Sequence, residues 1–245
     1  MLGRVRRPEG PVFRARTGID GRTRGKRLRR LARELPIAIG LAAFVAVPIH
    51  ASAGAQFAYD TYFGSAYERQ IDSRTCVAAS TAMMVNILAG RDLNLSQIKI
   101  LKYAQPRDAL NDATQRGTDP LGWERAATRF SLYTSRPTNY RWEAYGTKTE
   151  ALKRAATQIT RYGKAVGLLV QHGKHAVVMN GFTSTRNPLN GSFSVTGIWV
   201  SDPLGSRNAY YSASGGPLDA YLQLDATAAY DQAWYGKYII IVPRN

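Results

Sequence analysis

Apolar positions change their period once along this chain, near residue 163. Upstream they recur at three- and four-residue intervals, and downstream they gather in short runs rich in Val and Ile. From Cys76 to Ala89, the residues Val77, Met84, Val85 and Leu88 fall on one helical face, and Gly90 supplies a stop. Ser73 and Thr75 are the candidate N-caps for this helix. Leu95, Ile98 and Leu101 form a shorter stripe that predicts a helix over 95–104, and Asp119 would cap another over 120–130. Thr147-Lys148-Thr149-Glu150 has the form of a capping box, with Leu152, Ala155, Ala156 and Ile159 following at i, i+3, i+4 and i+7 before Gly163. Residues 105–119 carry turn formers and little periodicity, which predicts a loop and a candidate wall of a binding groove. Strands are predicted over 165–171, 175–182, 193–201 and 237–242, and residues 56–70, rich in Tyr and Phe, form an extended lead-in. Helices first and strands later, without regular alternation, predict an α+β fold. Its N-terminal half is helical and its C-terminal half is an antiparallel sheet.

Charge divides the chain differently. Residues 1–34 hold twelve Arg or Lys against Glu9, Asp20 and Glu34, which is +9 of the +16 total. They show no apolar period and read as a basic n-region. The apolar stretch from Ile37 to Ile49 is too short for a membrane span, which needs about 20 residues, but suits a signal-peptide core. Ala51-Ser52-Ala53-Gly54-Ala55 then offers a small-residue cleavage site. The expected organisation is a leader over 1–55 and one domain over 56–245, secreted or otherwise extracytoplasmic. An uncleaved leader acting as a membrane anchor is the alternative. The other 21 basic residues are scattered rather than interleaved with aromatics in one patch, so no specific nucleic-acid partner is expected. Their modest excess would favour anionic cell-envelope polymers.

A single cysteine excludes an intrachain disulfide framework in an exported protein. Cys76 follows the glutamine-bearing segment Gln70-Ile71-Asp72-Ser73-Arg74-Thr75 and opens a helix. A free thiol is mostly protonated at neutral pH, and a helix N-terminus or a neighbouring imidazolium favours the thiolate that attacks. The Cys76 N–H and the Gln70 amide would be oxyanion donors. Taken alone, without the surrounding motif, Cys76 reads sooner as a small buried hydrophobe.

Histidine and aspartate enter through register. A hairpin turning at Asn187-Pro188-Leu189-Asn190-Gly191 has the midpoint of 175 and 202 within its turn, so His175 and Asp202 would face each other at its open end. There the carboxylate can accept from one imidazole nitrogen and hold the other toward the thiol. A one-residue slip would put the two side chains on opposite faces. His172, before the turn signal Gly173-Lys174, is the competing base. A zinc site of His172, His175 and Asp202 is disfavoured, because strand residues three apart point to opposite faces. Asn180 faces away, and Trp199, Trp234 and Tyr235 read as core or hairpin-covering aromatics. Trp123, beside a turn, is open to either reading.

These three motifs together resemble the bacterial C39-like cysteine peptidases of the papain-like fold, over roughly residues 66–242. Gln70 and Cys76 stand six apart, as the oxyanion glutamine and nucleophile do in that family. His175-Ala176-Val177-Val178-Met179-Asn180-Gly181-Phe182 looks like its general-base strand, and Val200-Ser201-Asp202-Pro203 like its aspartate motif. Thr75 and Val77 depart from the Asp and Gly that often flank the nucleophile in transporter-fused members, and the stretch between His175 and Asp202 is longer than usual. The resemblance implies a stand-alone exported peptidase acting on peptide or protein substrates without a cofactor. Catalysis would use Cys76, His175, Asp202 and Gln70. A transamidase using the same triad and an inactive binding module on the same scaffold are the alternatives.

Overall fold

A computed structural model describes residues 56–109, 117–214 and 234–245. The expected leader and cleavage site over 1–55 lie outside the described residues, as does the middle of the 105–119 loop. The elements, in order, are β1 (Phe57–Asp60), α1 (Cys76–Ala89), α2 (Gln97–Ala104), α3 (Pro120–Ser131), β2 (Tyr140–Tyr145), α4 (Lys148–Tyr162), β3 (Val166–Val170), β4 (His175–Ser184), β5 (Val195–Asp202), β6 (Ser206–Ser212) and β7 (Tyr238–Pro243).

The class is α+β, with one seven-stranded sheet in the order β2-β7-β3-β4-β5-β6 and β1 also paired to β4. Every pairing is antiparallel. The expected division into a helical half and a sheet half is corrected by β1 and β2, which precede α4 and yet belong to the sheet.

Two cores sandwich that sheet. On one face Leu152, Ala155, Ala156 and Ile159 of α4 pack against Leu168, Val170, Val177, Met179 and Ile240. On the other, Val77, Met83, Met84 and Ile87 of α1, with Trp123 of α3, pack against Leu169, Ala176, Val178 and Ile241. The alternation of β3 and β4 residues between these clusters is the two-residue period of strands buried on both faces. Trp123 is fully buried over Gly167, where an added Cβ would stand 2.4 Å from the indole. Trp234 is buried against Trp142, whereas Tyr235 is exposed, contrary to its expected covering role, and Trp199 is half-buried against Tyr210.

Sequence caps explain the helix bounds. Thr147 accepts from the Glu150 N–H and Gly163 ends α4 in the left-handed conformation, φ 63°. Asp119 accepts from the Gly122 N–H at the head of α3, and Ser96 from the Lys99 N–H at the head of α2. The single apolar face expected for α1 is corrected: Val77 through Leu88 are all buried. Ala78, Ala82 and Val85 carry a third cluster with Ile100, Leu101, Ala126 and Phe130 from α2 and α3, so α1 is a central helix.

Candidate active site

Cys76 is the first residue of α1 and is half-buried. Thr75 holds the N-cap position but makes no side-chain cap, and Ser73 makes none either. Instead the Thr75 hydroxyl turns back to Asp72, accepting from its N–H (3.2 Å) and donating to its carbonyl (3.1 Å). Among the described residues the helix therefore opens without a side-chain cap, which is the arrangement an incoming carbonyl oxygen needs.

Ser80, one turn beyond Cys76, donates to the Ala176 carbonyl at 3.0 Å and is fully buried. That bond ties α1 to the strand residue immediately after His175. It fixes α1 against β4 by a polar contact inside an apolar interface.

His175 and Asp202 meet at the open end of the β4–β5 hairpin, with imidazole Nε2 donating to carboxylate Oδ1 at 2.7 Å. The predicted directly opposite pairing is corrected. Val178 pairs with Ser201, so the next pair along the ladder puts Val177, not His175, across from Asp202. The two are diagonal neighbours on one face, about 7–8 Å apart at Cα and within side-chain reach. The hairpin closes one residue later than its turn signals suggested, with Ser184 opposite Val195.

Asp202 takes Nε2 of His175, which leaves the second ring nitrogen for the thiol, and Cys76 is among the groups that raise the imidazole pKa. Burial pushes the imidazole pKa down. The hydrogen bonds from Asp202 and Cys76 and the Asp202 charge outweigh it and lift the pKa to about 9. Burial likewise opposes ionisation of Asp202, but the bonds from His175 and from the Leu204 N–H (2.8 Å) leave its carboxyl below the ordinary value. At neutral pH the pair is imidazolium and carboxylate.

The segment before Cys76 is bound to the aspartate turn. The Gln70 N–H donates to the Pro203 carbonyl at 3.0 Å, and the Tyr67 hydroxyl donates to the Asp202 carbonyl at 3.1 Å. The Gln70 side chain lies in this loop, and its Nε2 spends one hydrogen on the Asp72 carbonyl at 2.8 Å.

His172 is exposed in the β3–β4 turn, one of three successive residues with positive φ, and Asn180 bonds Ser201 Oγ rather than an imidazole. Among the described residues no three His, Cys, Asp or Glu side chains are grouped as metal ligands.

Sequence reasoning missed Gln97. Its buried amide accepts from the Ile71 N–H (3.1 Å) and donates to the Arg69 carbonyl (2.7 Å), so it grips the backbone on both sides of Gln70. Nothing near Cys76 signals it, since it sits 21 residues on, at the start of α2. Gln97→Ala should lower kcat for peptide hydrolysis by on the order of tenfold, and Gln70→Ala by on the order of 10²-fold. If Gln97 acts through Gln70, the double variant is no slower than Gln70→Ala alone; additive losses in steady-state kinetics would separate them.

No family model matches this chain, and no curated protein is similar enough to count as a match.

Proposed function

We propose that this protein is an exported cysteine peptidase of the C39-like, papain-fold type. The observation that carries the reading is the buried His175–Asp202 pair, coupled electrostatically to Cys76 at a helix N-terminus. Sulfur attacks the substrate carbonyl carbon, and the Cys76 N–H with the Gln70 amide stabilises the oxyanion. When the C–N bond breaks, His175 gives its proton to the departing amine and a thioester remains. Water then attacks; His175 takes its proton, the C–S bond breaks, and the thiolate–imidazolium pair returns. An amine in place of water would make the same site a transamidase.

A peptide substrate suits the surroundings. Ile71 and Leu204 are 60% and 51% exposed and follow the two residues joined by the Gln70–Pro203 backbone bond. They give the site an apolar border of the kind a peptide side chain covers.

The test is labelling of Cys76 by iodoacetamide or an E-64-type epoxide in wild type and His175→Ala, alongside hydrolysis of a quenched fluorescent peptide library. Labelling that depends on His175, with turnover, is expected. An unreactive thiol and no turnover would leave a binding module as the better description. For export, the expected mature N-terminus lies near Gln56 and is checked by sequencing the extracellular protein; the intact leader in a membrane fraction would support an anchor instead.

A pH profile follows from His175. Its proton is required by the leaving amine and is lost as pH rises through about 9, so kcat/KM should fall on an alkaline limb near that value. Asp202→Asn removes the charge that helps hold the proton, and the limb should move to lower pH. An unmoved limb would exclude Asp202 from that role.

A further inference from the structure

Helix α3 covers the free edge of β2. Thr128 and Glu124, one turn apart, accept from the N–H groups of Tyr140 (2.9 Å) and Trp142 (2.8 Å), which closes an edge that would otherwise pair with another chain. Beside this seam lies a groove of about 460 Å³ into which four arginines converge from three segments. Arg125 and Arg129 come from α3, Arg141 from β2, and Arg244 from beyond β7.

Its charge is poorly balanced. Glu124 is the only acidic residue in the lining, and its carboxylate already accepts from Trp142. Arg141 is paired with Glu143, which Arg154 shares at 2.8 Å. Among the described residues no carboxylate pairs with Arg125, Arg129 or Arg244. Arg125 instead donates to the Arg107 carbonyl at 2.7 Å, a contact that orients the guanidinium without neutralising it.

We propose that this groove binds a phosphate-bearing anion. Guanidinium forks match the oxygens of carboxylate and phosphate, but a planar carboxylate brings one charge and two acceptor atoms. Donors arriving from a helix, a strand and the segment after β7 suit a tetrahedral group that accepts in several directions and carries more charge. The volume is that of a small-molecule site and admits an oligophosphate or a lipid headgroup. The groove is separate from the thiol: β7 and β3 lie between β2 and β4 in the sheet, a lateral distance of about 14 Å at the usual strand spacing.

Two probes distinguish the source of the phosphate: inorganic tripolyphosphate by calorimetry, and phosphatidylcholine vesicles with and without phosphatidylglycerol by co-sedimentation. The proteins are wild type, Arg125→Ala/Arg129→Ala, Arg125→Lys/Arg129→Lys, and a charge-matched control, Arg186→Ala/Lys237→Ala, at exposed positions elsewhere. Saturable binding by wild type is expected. It should weaken on the order of 100-fold in the alanine pair, about tenfold in the lysine pair, and less than about twofold in the control. Binding of tripolyphosphate alone assigns a free anion; recruitment to phosphatidylglycerol vesicles with the same arginine dependence assigns a headgroup. Wild-type labelling of Cys76 in every variant shows that the fold is intact. No binding to either probe, or equal weakening in the control pair, overturns the proposal.

Discussion

Replacing Cys76 with alanine should reduce peptide turnover by on the order of 10⁴-fold or more, the loss typical of a missing covalent nucleophile. The fold should survive. The side chain is half-buried, and the helix it opens is fixed by the Ser80–Ala176 bond and by the clusters around α1. The measurement is kcat on a peptide substrate beside a thermal unfolding curve. A residual rate above about one hundredth of wild type, with Tm unchanged, would move the nucleophile elsewhere.

His175→Ala should be equally inactive for a different reason and, unlike Cys76→Ala, should also destabilise the protein. Without the imidazole, the Asp202 carboxylate stays 6% exposed with only the Leu204 N–H as partner. Stranding one member of a buried charged pair costs on the order of 3–5 kcal/mol. Because the folded imidazole pKa, about 9, lies above the unfolded value of about 6.5, His175 protonation stabilises the fold. That contribution, roughly 3 kcal/mol, is full below pH about 6.5 and is lost as pH rises through about 9. Urea unfolding at pH 6, 7.5 and 9.5 should therefore show the gap between wild type and His175→Ala narrowing with pH. His175→Ala/Asp202→Asn, which leaves no stranded charge, should recover part of the loss at neutral pH. A gap that stayed constant across the three pH values would mean that lost packing, not charge, sets the cost.

Much of this architecture was readable where local chemistry and tertiary position agree. The Thr147 capping box and Gly163 bound α4 because both act within one turn, and the long apolar runs of β3, β4 and β7 became central strands. Strands β2 and β6 were missed. Tyr140-Arg141-Trp142-Glu143-Ala144-Tyr145 alternates weakly between two helices, and Ser206–Ser212 has β5 as its one strand neighbour among the described residues. Total burial of α1 was hidden because alanine, serine and threonine carry little hydrophobic signal, although small side chains let neighbouring elements close around it.

The site was legible to the same degree. Counting outward from the turn brought His175 and Asp202 to one face because the ladder's two irregularities fall one on each strand, near Asn180 and Thr196. The turn's later closure could not be read from Asn-Pro and Asn-Gly signals. The clamp of Gln97 on the loop around Gln70 is a contact between segments 26 and 28 residues apart, set by how α2 docks, and no local pattern encodes it.

Strand β7 is formed from residues 238–243 but lies inside the sheet, between β2 and β3. A chain emerging from a ribosome at the usual 5–20 residues per second completes β3 roughly 4–15 s before β7 is available. Throughout that interval one edge of β3 is unpaired and the apolar face of α4 lacks Ile240 and Val242. Premature closure is thus disfavoured by the order in which the strands are made.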